Sequence, residues 1–120
     1  WAMLSAILAC TNPYETAEKF KRAGWTIESS NPPDSGDPLV DIELFGSRLM
    51  LGITAGYVEY DELPYVGCGI EFYISVPKGE LKRLHDRCAE FNPSAIEKQI
   101  WGDTVFTVEI DGFKLMIAER

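Results

Sequence analysis

The side chains that could do chemistry here are few, and their spacing points to an internal duplication. His85 is the only histidine, so no second imidazole is at hand to share a metal. Cys10, Cys68 and Cys88 are odd in number and lack C-x-x-C spacing. That pattern excludes a zinc site and a disulfide framework and reads as a reduced, cytoplasmic chain. What remains is a set of residues related by one interval of 66 positions: Met50 with Met116, Asp41 with Thr107, Ser5 with Glu71, and Ile7 with Tyr73. Thioethers offer a soft, adaptable contact surface. A carboxylate set among apolar groups attracts a cation.

The interval belongs to an internal duplication. Ile42-Glu43-Leu44-Phe45-Gly46-Ser47-Arg48-Leu49-Met50-Leu51 returns as Val108-Glu109-Ile110-Asp111-Gly112-Phe113-Lys114-Leu115-Met116-Ile117. Each copy has β-prone runs flanking Phe45-Gly46 or Asp111-Gly112, the chemistry of a two-residue type I′ hairpin. In that register Glu43 faces Arg48, Glu109 faces Lys114, Asp41 faces Met50 and Thr107 faces Met116. The charged pairs read as structural, each contributing roughly 0.2–1 kcal/mol.

With 120 residues, 46% hydrophobic and 25% charged, the chain is long enough for one domain with a real core. A net charge of −8 argues against nucleic acid or an anionic membrane as partner. No apolar run reaches eighteen residues, so no membrane span is expected. The chain begins at Trp1 and not at Met, which points to a trimmed chain or a segment of a longer protein.

Residues 3–9 read as a buried strand. Asn12-Pro13-Tyr14-Glu15 supplies an N-cap, a proline at the first helical position and an acid to close a capping box. Ala17, Phe20 and Ala23 form the buried stripe of the helix, and Gly24 ends it. A second strand starts at Trp25, residues 29–38 are a loop, and the first hairpin follows. The first β-α-β-β-β unit thus covers residues 1–53. Residues 54–68, with Tyr57, Tyr60 and Tyr65, link it to a second such unit over residues 69–120. There, residues 70–76 form a strand, and Leu81, Leu84 and Cys88 mark a helix that carries His85 as a boundary residue. Ile96, Lys98 and Ile100 alternate as a strand ahead of Trp101-Gly102 and the second hairpin.

Two β-α-β-β-β units, a Trp-Gly before a strand and a hairpin turning at Asp-Gly resemble the vicinal oxygen chelate superfamily, the glyoxalase, bleomycin resistance and extradiol dioxygenase group. The resemblance implies an α+β fold in which two tandem βαβββ units form a curved mixed sheet around a central cleft. The resemblance also implies a homodimer, the usual state of family members of this size. Metal-dependent members take ligands from the first and last strands of each unit, positions that fall here on Ser5, Met50, Glu71 and Met116. Only Glu71 is a plausible ligand, so no metal and no other cofactor is expected.

Strand alternation puts Ser5, Ile7, Met50, Glu71, Tyr73, Thr107, Met116 and Ala118 on the cleft face. Asp41 lies nearer the hairpin's outer end, Trp101 sits near the mouth, and Tyr57 and Tyr60 approach from the link. Glu71 is the sharpest candidate, either buried without a partner or paired with Arg48 or Lys114. The expectation is metal-free binding of an aromatic or cationic compound in the cleft between the two units, as in drug-sequestering resistance proteins or effector-sensing domains. The alternative is a metal-dependent lyase or dioxygenase of the glyoxalase type.

Overall fold

The duplicated pattern folds as two copies of one unit. The computed structural model describes residues 4–120; Met3, the expected start of the first strand, lies outside them. The first unit comprises β1 (Ala6–Cys10), α1 (Pro13–Arg22), β2 (Thr26–Ser30), β3 (Leu39–Leu44) and β4 (Ser47–Ile53). The second comprises β5 (Glu71–Val76), α2 (Leu81–Arg87), β6 (Glu97–Lys98), β7 (Thr104–Ile110) and β8 (Phe113–Glu119). Strand orders are β1-β4-β3-β2 and β5-β8-β7-β6. In each, the first strand runs parallel to the last and the other pairs are antiparallel. The α+β fold is as expected, with two mixed sheets in place of a single one because β1 and β5 each pair on one side only.

Local chemistry accounts for the elements. Asn12 Oδ1 accepts from the amides of Tyr14 and Glu15, at 3.1 and 3.3 Å, satisfying two of the free donors at the start of α1. The return bond of a full capping box forms instead at the short 3-10 helix of the link (Tyr60–Tyr65), where Glu62 accepts from the Glu59 amide. Gly24, at φ 109°, closes α1: its amide reaches Lys21 O and that of Trp25 reaches Phe20 O. This is the paired bonding of a left-handed helix end. Both hairpin turns are type I′, with Phe45 and Gly46 at φ 46° and 89° and Asp111 and Gly112 at 50° and 87°. All four facing pairs read from the sequence occur. Glu43 bonds the Gly46 amide in its own turn.

One continuous core joins the units. Leu8, Val40, Ile42 and Leu51 of the first sheet and Ile74, Phe106, Leu115 and Ile117 of the second are buried in it. Phe20 and Trp25 meet edge to face within it, with ring centroids 5.4 Å apart. Each sheet therefore gives one face to the core and leaves most of the other open, although Val105 and Ala118 at one end of the second sheet's outer face are buried.

Polar ties cross between units as well. Asp111 accepts from Thr16 Oγ1 at 2.6 Å and from Lys19 Nζ at 2.5 Å. Arg87 donates to the carbonyls of Lys21 and Arg22 at the end of α1, where a cation complements the helix dipole. The link lies so close on the second turn that a Cβ added to Gly67 would stand 2.0 Å from Gly112 O.

Two details differ from the reading of the sequence. Ser29 and Ser30 belong to β2, paired with Asp41 and Val40 beyond a bulge, and not to the following loop. The strand expected through Ile100 stops at Lys98, because Gln99 N bonds Asp103 O and Gly102 N bonds Gln99 O, turning the chain. Ile100 is consequently fully exposed.

Candidate functional site

The uncovered faces carry most of the residues singled out above. Across the first sheet Ile7 pairs with Met50, Met50 with Asp41, and Asp41 with Ser29. Across the second, Tyr73 pairs with Met116 and Met116 with Thr107. Beyond Thr107 lies Ser94, whose hydroxyl accepts from the Thr107 amide and whose amide donates to Thr107 O, both at 2.8 Å. Thus the 66-residue interval becomes two equivalent rows. Both methionines are half-buried. Ile7 and Tyr73 are 46% and 44% exposed, large apolar groups lying open at the centres of their faces.

The rows differ in polarity. On the first face, Asp41 Oδ2 accepts from Ser29 Oγ at 2.8 Å. Its Oδ1 is buried and has no partner among the described residues. A buried acceptor without a donor costs about 1–3 kcal/mol, so this oxygen is suited to a donor brought by a ligand. On the second face, Tyr73 donates its hydroxyl proton to Asp103 Oδ2 and accepts from Trp101 Nε1 at 3.1 Å. The bond to Asp103 stabilises the neutral phenol and raises the Tyr73 pKa. Asp103 is buried and has Arg120 Nε 3.7 Å away. The aromatic pair is therefore a fixed, uncharged platform.

Glu71 is exposed, directly opposite Lys114, which in turn faces Glu109. Of the two readings of Glu71, burial without a partner does not hold and the place opposite Lys114 does; the buried acid oxygen belongs to Asp41. Glu71 and Thr107 border a cavity of about 510 Å³ with Phe91, Asn92 and Ser94. Tyr73 borders another of about 250 Å³ between the units, with Leu4, Arg48 and Phe72. Ser5 is exposed just ahead of β1. Tyr57 and Tyr60 stand on the link, off both sheets, and are 63% and 89% exposed.

His85 is structural: its Nε2 lies 2.8 Å from Ser94 O and its ring stands edge-on to Phe106. Burial pushes the thiols of Cys10 and Cys88 up to about 11, so neither is a thiolate nucleophile at neutral pH.

The donors Ser5, Met50, Glu71 and Met116 do not fit a divalent ion. They amount to one carboxylate, one hydroxyl and two thioethers, where about three good N, O or S donors are needed. Among the described residues, no group of three or more His, Cys, Asp or Glu side chains is placed to hold a metal. Among them too, no helix is long and apolar enough to cross a membrane.

Ser29 and Asp103 escaped the reading of the sequence. Ser29 is brought into the site by a bulge, and Asp103 by contacts with residues far along the chain. The one local signal for Asp103 is its place after Trp101-Gly102.

No family model and no curated protein matches the sequence. Solved structures do. A bleomycin-binding protein complexed with bleomycin aligns over 100% of this chain and 99% of its own, at 16% identity and a TM-score of 0.67. A member of the glyoxalase/bleomycin resistance protein/dioxygenase superfamily from Sphaerobacter thermophilus aligns over 100% and 98%, at 16% identity and 0.68. A lactoylglutathione lyase from Agrobacterium tumefaciens aligns over 98% and 92%, at 13% identity and 0.65. Two β-α-β-β-β units, two mixed sheets with their open faces and these alignments give the chain the fold of the glyoxalase/bleomycin resistance/dioxygenase superfamily.

Proposed function

We propose that this protein binds a small organic cation of aromatic character, without metal, in clefts formed where the open faces of two copies meet. The observation that carries this reading is the buried Oδ1 of Asp41, without a partner among the described residues, between Ser29 and Met50. A cationic or N–H-bearing ligand supplies the missing donor. Ile7 and Met50 then pack its body from one face, and Tyr73, Trp101, Thr107 and Met116 from the other. The net charge of −8 draws cations towards the protein. A structural neighbour that holds bleomycin supports the same use of the fold. Such a protein serves either to sequester a drug or to sense an effector.

Native mass spectrometry together with calorimetric titration tests the proposal, using metal-free bleomycin and a planar acridine cation as probes. The expected result is a metal-free dimer that binds at least one of the probes saturably, with affinity about tenfold weaker in Asp41→Asn, the scale of a lost charge-assisted hydrogen bond. One tightly held divalent ion per subunit overturns the reading. So does probe binding that is indifferent to Asp41→Asn.

A further inference from the structure

A separate cavity of about 400 Å³ lies at the start of α1. It is lined by that helix, by Leu63, Pro64 and Val66 of the link and by the turn at Asp111-Gly112, with Cys10 and Phe113 also bordering it. We propose that this cavity is a second ligand site, which takes a compact primary ammonium compound with an apolar body. None of Ile7, Asp41, Met50, Tyr73, Thr107 or Met116 borders it.

The volume falls in the range of small-molecule sites, about 300–1,000 Å³. Its walls are held from both units. Thr16 and Lys19 bond Asp111, and the link packs backbone to backbone on the turn at Gly67 and Gly112. The charges on those walls select the sign of the occupant. An anion would look for the amides at the start of α1, but Asn12 already caps those of Tyr14 and Glu15. It would look next for Lys19, which is held by Asp111. Glu15, by contrast, is exposed at the border of the cavity and makes no ion pair among the described residues. With Glu15 and Asp111 set against Lys19, the lining carries net negative charge. Leu63, Pro64, Val66 and Phe113 supply the apolar surface for the rest of the molecule.

Amide NMR spectra recorded during titration with tryptamine test this, with tryptophol as the neutral counterpart and Glu15→Gln as the variant. Tryptamine is expected to move the amides of Cys10, Thr16, Val66 and Gly112. Its binding should weaken about threefold in Glu15→Gln, the scale of a solvent-accessible ion pair, while tryptophol binds the two proteins alike. Shifts confined to Ile7, Met50, Thr107 and Met116 overturn the second site. Equal affinity of tryptamine for both proteins overturns the assignment of the cation.

Discussion

Ser29 satisfies one oxygen of Asp41 and leaves the other, buried and partner-free, in the row that Ile7 and Met50 share. The bulge between Ile27 and Ser29 sets this geometry by bringing Ser29 opposite Asp41. An acid held in this way favours a ligand at the expense of the empty fold. Asp41→Ala should therefore leave stability within about 1 kcal/mol of the parent, or raise it, because the orphan acceptor disappears. Cation binding should be lost at the same time. Urea unfolding and calorimetric titration of one preparation report both; a loss of several kcal/mol would mean that Asp41 is structural.

The first hairpin turn carries a removable strain. Phe45 adopts φ 46°, a left-handed conformation that costs most non-glycine residues roughly 1–2 kcal/mol and that Asn tolerates. Phe45 is also 43% exposed, so little burial is lost on replacing it. Phe45→Asn should raise stability by about 1 kcal/mol, a shift of several degrees in the thermal midpoint. An unchanged or lower midpoint would show that the ring makes up for its own strain.

Asp111 gives the fold an acid-sensitive tie. Partial burial works to raise its carboxyl, but hydrogen bonds from Lys19 and Thr16 outweigh that and hold the pKa below the usual range. A group whose folded pKa is depressed stabilises above its unfolded value, about 3.9 for Asp, and loses that contribution as pH falls through the folded value. Asp111→Asn keeps a residue that tolerates the turn and removes the charge. The variant should be about 1 kcal/mol less stable at pH 7, with the difference vanishing in strong acid. Denaturation midpoints measured across the acid range check the sign; a gap that widens towards low pH contradicts it.

The three thiols should separate by reactivity. Cys68 is exposed, whereas Cys10 and Cys88 are buried with thiols pushed up to about 11. Iodoacetamide at pH 8 should modify Cys68 first and the other two only on unfolding, as peptide mass spectrometry can follow. Early modification of Cys10 would show that the cavity beside α1 opens in the native state.

Much of this arrangement was legible because it is local. A two-residue type I′ turn sets its own register, so Asp41 opposite Met50 and Thr107 opposite Met116 follow from Gly46 and Gly112 and the alternation around them. The end of α1 follows in the same way from Gly24. What depends on distant contacts could not be read. Ser29 and Ser30 run into the polar, proline-rich stretch that follows and look like part of that loop until β3 pairs with them. Asp103 gains its role only when Tyr73 and Arg120 arrive from the two ends of the second unit. For Glu71 both burial and pairing stayed open, because alternation gives a side chain's face and says nothing of what covers that face.

The link packs tightly at Gly67 against Gly112, while Tyr57 and Tyr60 farther back along it stand in solvent. Behind it, both units share a single interior. A protease that cut near those tyrosines would sever the chain without dividing the molecule: the two fragments would remain as a heterodimer, each filling the other's core. The covalent connection sets the local concentration of the halves, and their fit to one another holds them together.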